Sequence, residues 1–251
     1  MTPSVRFSRL KQIAQSPAHY RYAADRADDA SPGSPAMARG RAVHAVVLGT
    51  PYAVWDGPVR RGKEWDAFAL EHAGVPVMNT TEYDMARAMR ASVLRHDIAR
   101  EMLFANGMVR EQRIDWTRDG VACHGTPDAY GNGLVVDLKT TKCAEPERFV
   151  RDAKWRAYHA QLAFYASGLL ALGVETQRLA IVAVEAVAPY VVTVFELDAT
   201  AWTSGDALVA SWWERMRQCE AAGVWPGYTE AAVRFGVDDE TLSIGGEDFE
   251  I

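Results

Sequence analysis

GLVVDLKTTK, residues 133–142, carries two charged side chains in a stretch that otherwise has the apolar character of a buried strand. Val136 and Leu138 are typical of a strand in the interior of a sheet. Asp137 and Lys139 are two positions apart, and this spacing points both side chains to the same face of the strand. Burying a carboxylate and an ammonium costs several kcal/mol each unless the two groups are paired or coordinated. The stretch therefore predicts either a solvated strand face with a surface ion pair, or a strand that faces a charged ligand.

A second carboxylate, Asp128, lies just upstream in GTPD and is separated from this strand by YGNG, a sequence typical of a tight hairpin turn. If residues 128 and 137 pair across the hairpin, their side chains share a face and can reach the same ion. A shift of one residue would put them on opposite faces. Two carboxylates beside Lys139 suit Mg²⁺, which prefers oxygen ligands and lowers the pKa of a bound water. Lys139 would then orient the water and offset charge on a scissile phosphate.

The composition of the 251 residues, 49% hydrophobic and 24% charged, is typical of one globular domain with room for a small helical addition. Neither an apolar run long enough for a membrane span nor a signal peptide is evident. Three scattered cysteines match no disulfide or metal framework, so we expect a reduced cytoplasmic protein. The net charge of −6 is matched by six acidic residues after Gly236, where no basic residue occurs. The near-neutral remainder therefore does not exclude a nucleic-acid partner.

Hydrophobic periodicity divides the chain into three regions. We expect a helical N-terminal region over residues 1–105, an α/β core over 106–235, and an acidic tail over 236–251 that is mobile or bound to a partner. Within these regions, His44 falls in the helix RGRAVHAVVLG, Glu111 opens the first of three strands, Asp128 lies on the second, and Asp137 and Lys139 lie on the third. The first helix is expected to be capped by Ser8, the second to begin at Pro17, and a later one to be capped by Thr80 or Thr81.

The order GTPD, VVDLKT and YHAQLAFY resembles the PD-(D/E)XK nuclease superfamily. Within it, the chain is similar to the RecB/RecE branch, which adds an upstream helix His and a downstream Gln-x-x-x-Tyr; here these are His44, Gln161 and Tyr165. Gln161 and Tyr165 are one helical turn apart and share a face. The segments SRLKQIAQSPAHYRYA, RGRAVHAVVLG, RRGKEWDAF and TTEYDMARAM resemble RecE-type (exonuclease VIII-like) phage and prophage exonucleases. The resemblance spans about residues 5–215.

This resemblance implies a restriction-endonuclease-like core, a mixed central sheet flanked by helices, with the N-terminal helical region supplying His44. It also implies a role for each matched residue: metal ligation by His44, Asp128, Asp137 and the Leu138 carbonyl, catalysis by Lys139, an auxiliary acid or second-metal ligand in Glu111, and DNA contact by Gln161 and Tyr165. Mg²⁺ is the implied ion, with Mn²⁺ as a substitute. Three scattered cysteines exclude a four-cysteine iron–sulfur cluster within one chain.

The activity implied is Mg²⁺-dependent hydrolysis of linear duplex DNA in the 5′→3′ direction. It would leave 3′ single-stranded tails for recombination by strand annealing. The implied partners are further copies of the chain in a ring and a single-strand annealing protein, with no membrane. Arg41, Arg61 and Lys63 are candidate phosphate contacts, although exposed basic residues are commonly only solvated charge; Trp65 is more typical of core packing than of base stacking. An end-trimming nuclease, an endonuclease and a catalytically inactive DNA-binding module are the alternatives.

Overall fold

The computed structural model describes residues 4–25, 35–233, 242–244 and 247–249. The loop DDASPGSP lies almost entirely outside these residues, as does most of the acidic tail. The helices are α1 (Phe7–Leu10), continued by a 3-10 turn (Lys11–Ala14), α2 (Pro17–Asp25), α3 (Pro35–Leu48), α4 (Lys63–Glu71), α5 (Thr80–Arg95), α6 (Asp97–Phe104), α7 (Pro146–Trp155), α8 (Tyr158–Ala171) and α9 (Ala199–Ala222). The strands are β1 (Ala53–Trp55), β2 (Val77–Asn79), β3 (Val109–Arg110), β4 (Ile114–Arg118), β5 (Val121–Gly125), β6 (Ala129–Gly131), β7 (Leu134–Thr141), β8 (Arg178–Glu185), β9 (Val192–Glu196), β10 (Leu242–Ile244) and β11 (Glu247–Phe249).

A five-stranded sheet in the order β3-β6-β7-β8-β9 forms the centre of the fold. Strands β7 and β8 are parallel, and the other neighbours are antiparallel, so the sheet is mixed. Helix α8 packs on one face, whereas α3, α5 and α6 pack on the other. Alternate residues of the central strands enter the two cores: Val135 and Ile181 face α8, and Val136 and Val182 face the opposite layer. The expected α/β architecture, a mixed sheet flanked by helices, is confirmed.

The three consecutive strands expected between residues 108 and 141 are divided between two sheets. Strands β4 and β5 form a separate hairpin. Strands β3 and β6, which precede and follow this hairpin in the sequence, pair with each other in the central sheet. The expectation that Glu111 opens a strand is wrong, because Glu111 follows β3 and has a left-handed backbone, φ +50°. Asp128 likewise directly precedes β6 instead of lying within a strand. Apolar residues occur in every strand of this stretch, and they do not determine which strands pair.

The ends of several helices differ from the sequence expectation. Ser8 lies inside α1 and caps nothing, because the helix already begins at Phe7. Asn79, and not Thr80 or Thr81, caps α5: its side chain accepts from the Glu82 N–H, and the Glu82 carboxylate accepts from the Asn79 N–H. The predicted start of α2 at Pro17 is confirmed.

The helices that precede residue 105 contribute to both faces of the sheet. Residues of α1 and α2 belong to the hydrophobic core that also contains α8 and α9, whereas α3, α5 and α6 form the opposite core. Val5 additionally bridges to Cys123 of β5. The division at residue 105 stays a prediction. In the ranges described, no helix combines the length and apolarity that crossing a membrane requires.

Candidate active site

The candidate site lies where one edge of β7 loses its strand partner. Strand β6 pairs with β7 only as far as Val136, whereas β8 pairs with it to Thr141. Beyond Val136, the Leu138 N–H donates to Asp128 Oδ2 at 2.6 Å, so an aspartate takes the place of a strand carbonyl. Continuing the register Ala129↔Val136 by one residue places Asp128 opposite Asp137. The two carboxylates therefore meet in the register that brings them to a common face.

Three ligand-type side chains converge beside this edge. His44 Nδ1 lies 3.3 Å from Asp128 Oδ1 and 3.9 Å from Glu111 Oε1. One ligand atom from each of the three residues lies within 4.8 Å of the others. Glu111 reaches the group because its left-handed turn follows β3 directly and its N–H donates to the Asp128 carbonyl at 3.1 Å. The group therefore joins α3, the turn after β3 and the entrance to β6.

Lys139 is held by residues from β7 and α8. Its ammonium forms an ion pair with Asp137 and donates to Gln161 Oε1 at 3.1 Å. The Gln161 amide donates in turn to the Tyr165 hydroxyl at 3.1 Å. The Tyr158 ring lies 4.6 Å from Lys139 Nζ, a distance suited to a cation–π contact. The Lys139 side chain is thus held by several contacts and is mostly buried.

Burial at the site raises the pKa of two carboxyl groups. For Glu111, burial and then the charge of Asp128 raise the pKa to about 7. For Asp137, burial raises the pKa to about 6, although the Lys139 ammonium acts in the opposite direction. Both carboxyl groups therefore gain or lose their proton near neutral pH, well above the range of an ordinary carboxyl group.

The other charged groups stabilise one another's ionised forms. Burial alone would lower the pKa of His44, but the charge of Asp128 and the contact with it outweigh burial and raise that pKa. Burial would raise the pKa of Asp128, but His44, and then Lys139 and the Leu138 amide, lower it. For Lys139, Asp137 and Asp128 overcome burial and raise the pKa. A compact set of opposite charges results.

The donor set fits a divalent cation. Two carboxylates and an imidazole supply the oxygen and nitrogen ligands that Mn²⁺ accepts, and the oxygens also suit Mg²⁺. This set contains Glu111 in addition to the expected His44 and Asp128. Asp137 lies beside it and is engaged by Lys139. The ligand roles of Asp137 and the Leu138 carbonyl stay predictions; the described contact of the Leu138 backbone is through its N–H.

An open cleft of about 900 Å³ leads to the site. His44 and Lys139 form part of its wall, with Met85 and Tyr158 among the apolar lining residues. Arg156 and Lys142 add positive charge to the wall, and both are exposed. The cleft therefore gives an anionic ligand access to the buried charges.

Sequence reasoning missed Tyr158, Lys142 and Arg156. Tyr158 begins the apolar helix α8, where an aromatic residue is typical of core packing. Its position three residues before Gln161, on the same face of the helix, was the signal that could have identified it. Lys142 follows directly on the Asp-x-Lys strand, and the cluster of basic residues in RFVRDAKWR also pointed to α7.

The candidate DNA-binding residues occupy different environments. Arg41 is exposed on α3, one turn before His44. Arg61 and Lys63 are exposed at the start of α4, and no contact among the described residues links them to the charged cluster. Tyr165 is buried, so its hydroxyl supports Gln161 from within the core. A DNA contact by any of these residues stays a prediction.

The expected packing of Trp65 agrees with its surroundings. Its ring centroid lies 5.5 Å from that of Trp55 and 6.1 Å from that of Phe68. The three rings hold α4 against β1. Trp65 is therefore part of a local aromatic cluster.

Comparison with known proteins assigns the chain to a family. The model of the family described as "PDDEXK-like domain of unknown function (DUF3799)" matches residues 6–234. A search of curated proteins finds no match. Among solved structures, a provisionally assigned exonuclease from Eubacterium rectale is similar, with a TM-score of 0.62 and 13% identity over 94% of this chain and 91% of that one. A phage-related exonuclease from Haemophilus somnus 129PT matches at a TM-score of 0.39 and 11% identity, over 89% of this chain and 97% of that one.

The resemblance to the PD-(D/E)XK superfamily is confirmed at the level of family and fold. The family match covers the helical region, the central sheet and the residues of the charged cluster together. The similar structure from Eubacterium rectale shares the overall fold across nearly its whole length. The chain therefore belongs to the PDDEXK-like domain family and has the fold of the PD-(D/E)XK nucleases.

Proposed function

We propose that this protein is a metal-dependent nuclease that hydrolyses phosphodiester bonds in DNA and acts as an exonuclease on the ends of linear duplexes. The observation that carries the proposal is the convergence of His44, Glu111, Asp128, Asp137 and Lys139 beside an open cleft, whose wall includes His44 and Lys139. Buried charges of this kind add little to stability compared with apolar residues of similar size. Their presence in a sheet interior is explained by catalysis of a reaction on an anionic substrate.

The side chains of His44, Glu111 and Asp128 would hold the cation, with Asp137 adjacent to them. A divalent ion bound there supplies Lewis acidity, which lowers the pKa of a coordinated water and offsets negative charge on the phosphate. In the protein, Asp128 is already oriented by the Leu138 N–H. The pKa of Asp128 lies below its usual value, so it is available as a carboxylate ligand.

Lys139 is proposed to act on the substrate through its ammonium group. Asp137 and Gln161 occupy two of its three N–H donors, and the third is available for a water or a phosphate oxygen. Because the pKa of Lys139 is raised, it stays protonated and can offset charge that develops on the phosphate. Gln161 fixes the direction of this donor, since it is itself held by Tyr165.

The finer features of the proposed function are supported by the RecE-type resemblance. They comprise Mg²⁺ as the ion with Mn²⁺ as a substitute, 5′→3′ digestion of one strand, and 3′ tails for strand annealing. They also comprise a ring of identical subunits and an annealing partner protein. A cytoplasmic location is supported instead by the three scattered cysteines.

The test is degradation of linear duplex DNA labelled at either the 5′ or the 3′ end, in Mg²⁺, Mn²⁺ or EDTA, beside a covalently closed circle. We expect metal-dependent loss of the strand that begins at the 5′ label, with circles left intact. Lys139→Ala should abolish the reaction. Lys154→Ala is the matched control, because Lys154 is an exposed lysine that lines a separate groove and should leave the rate unchanged.

Each alternative gives a different result in the same experiment. Cleavage of closed circles would show an endonuclease. Failure of the folded wild-type protein to cleave any DNA with either ion, while it still binds DNA, would show an inactive binding module. Equal loss of activity in Lys139→Ala and Lys154→Ala would contradict the catalytic role of Lys139.

A further inference from the structure

Trp155 has the most exposed large hydrophobic side chain in the described part of the chain, at 87%. It is the last residue of α7 and directly precedes Arg156, which lines the cleft of the candidate site. Tryptophan is highly buried on average in folded proteins, and an exposed one therefore needs an explanation. Other tryptophans here follow the rule: Trp212 and Trp213 are buried in the core.

The faces of α7 have different surroundings. Phe149, Asp152 and Arg156, spaced by three and four residues, line the cleft that contains His44 and Lys139. Ala153 and Lys154 line a separate groove of about 620 Å³ on the other side of the helix. Trp155 lies three residues after Asp152. It is therefore beside the face of α7 that lines the cleft, on the side toward solvent.

Two arginines continue this solvent-facing side along the helix. Arg151 is four residues before Trp155 and Arg148 is seven before it, so the three side chains lie on one stripe. All three are exposed. From Arg148 to Trp155 the stripe is about 10 Å long along the helix axis.

The cations of this region are not held in close ion pairs among the described residues, although Glu145, which precedes α7, interacts with the charges of Arg148 and Arg151. Within the described ranges, no ion pair or side-chain hydrogen bond occupies Lys142, Arg148, Arg151 or Arg156. Several exposed arginines elsewhere are paired: Arg100 with Asp97, Arg113 with Asp115 and Arg178 with Glu196. The unpaired charges adjoin the cleft and therefore favour an anionic ligand there.

We propose that Arg148, Arg151, Trp155, Arg156 and Lys142, here called the α7 track, bind a single strand of the DNA substrate beside the active site. Arginine and lysine contact successive phosphates, and the Trp155 ring stacks on a base. An exposed aromatic ring interleaved with basic residues is the arrangement that binds single strands without sequence preference. The proposal rests on the proposed nuclease function, because it takes DNA as the ligand of the cleft.

A single strand fits the track better than a duplex does. Stacking on Trp155 requires a base with an open face, which a duplex offers only at its end. The track also leads from the outer surface of α7 through Arg156 into the cleft, where Lys139 lies. It therefore positions a strand that enters or leaves the site.

The test measures binding of a fluorescein-labelled oligothymidine by fluorescence anisotropy in EDTA, over a range of salt concentrations. The variants are Trp155→Ala, Trp155→Phe and Arg151→Gln, with Lys154→Gln as a control on the opposite side of the same helix. Cleavage of linear duplex by the wild-type protein in Mg²⁺ or Mn²⁺ is measured in parallel.

We expect Trp155→Ala to weaken binding by about 5-fold to 100-fold without changing the salt dependence, because it removes stacking and no charge. Trp155→Phe should restore most of the affinity. Arg151→Gln should reduce the slope of log affinity against log salt by about 0.7, the contribution of one phosphate on a single strand. Lys154→Gln should change neither property appreciably.

The inference is overturned if Trp155→Ala and Arg151→Gln bind the strand as the Lys154→Gln control does. It is also overturned if Trp155→Ala alters the oligomeric state in size-exclusion chromatography but not the affinity, because Trp155 would then belong to a protein interface. These results leave the proposed nuclease function intact when the wild-type protein cleaves. Conversely, strand binding that depends on Trp155, in a protein that never cleaves, supports the track and contradicts the nuclease.

Discussion

Strands β7 and β8 lie side by side in the middle of the sheet, yet they differ at two paired positions. The parallel register sets Asp137 opposite Ile181 and Lys139 opposite Ala183. Ile181 and Ala183 belong to the core beneath α8, and Asp137 and Lys139 point to the same face. Strand β8 therefore has the apolar residues that packing beneath α8 favours. Strand β7 has two charged residues at the paired positions, and packing alone does not explain them.

The difference also extends to the backbone. Strand β8 is paired on both sides, by β7 and β9, along most of its length. Strand β7 loses β6 after Val136, and Asp128 takes over the next amide. A charged face and an open edge at the same point create a site that the rest of the sheet cannot provide. The first prediction removes the charged face while keeping the backbone.

Replacing the two charged residues by their β8 counterparts, Asp137→Ile with Lys139→Ala, should have the largest effect. We expect DNA cleavage to fall by about 10³-fold or more, because the change removes the ammonium that is proposed to stabilise charge on the phosphate. The free energy of unfolding without metal should stay the same or rise by about 1–4 kcal/mol, since apolar residues replace a buried ion pair. Nuclease assays and denaturant unfolding in EDTA measure the two quantities.

Ile181→Val is the control for this double change, because it alters the same core from β8 and should leave cleavage intact. A double variant that retains activity would show that the charged face of β7 is structural. A double variant that loses several kcal/mol of stability would show the same, because the ion pair would then be needed for folding.

The charges on β7 could be predicted from the sequence because they break a local pattern. Asp137 and Lys139 interrupt an apolar strand, and the turn YGNG fixes the neighbouring hairpin within a few residues. The position of Glu111 could not be predicted in the same way. Its place depends on a left-handed turn after β3 and on the pairing of β3 with β6, a contact between strands that are distant in sequence. For the same reason, alternating hydrophobicity did not show that β4 and β5 form a sheet of their own.

Replacing only Lys139, and not Asp137, should distinguish the cost of burying an unpaired carboxylate from the cost of lost packing. In Lys139→Ala, Asp137 stays buried without its counterion, and we expect a loss of about 3–5 kcal/mol in the free energy of unfolding above neutral pH. The pKa of Asp137 is about 6 even with Lys139 present, so its folded pKa already exceeds that of the unfolded chain. Stability contributed by such an acid falls as the pH rises through that range. The loss should therefore shrink at about pH 5, where Asp137 can be protonated.

Chemical denaturation of Lys139→Ala at the two pH values, in EDTA, tests this expectation against the double variant. The double variant should lack the part of the pH dependence that Asp137 contributes, whereas the part from Glu111 should remain in both variants. An equal loss of stability at both pH values would mean that the cost arises from a cavity and not from an unpaired carboxylate.

The candidate metal ligands near the open edge of β7 should make metal binding depend on pH, because they gain and lose protons. The pKa of Glu111 is about 7 against an ordinary value of 4.5, so between these values the folded protein holds a proton that the unfolded chain has released. Stability without metal therefore falls as the pH rises through this window. Because a cation requires the carboxylate, its affinity should rise by up to about tenfold per pH unit below about 7 and then level off.

Thermal unfolding with and without Mn²⁺ measures this effect as a shift in Tm that grows with pH. Glu111→Gln should bind the ion more weakly and show a shallower pH dependence. Some slope should remain in this variant, because the pKa of His44 is raised too and the ion also displaces its proton. A shift in Tm that is constant from about pH 5 to about pH 8 in the wild-type protein would contradict a role of Glu111 as a ligand.

The smallest effect concerns Tyr165, for which the resemblance and the geometry suggest different roles. Tyr165→Phe removes the hydroxyl that accepts from Gln161 and leaves the ring packed against Gly125. Loss of one buried hydrogen bond should lower the free energy of unfolding by about 1 kcal/mol. If Tyr165 acts by holding Gln161 and thereby Lys139, kcat should fall by about 2-fold to 10-fold while KM stays unchanged. If Tyr165 contacts DNA directly, KM should rise instead. Steady-state kinetics on linear duplex therefore decides whether this residue of α8 positions the proposed catalytic lysine or binds the substrate.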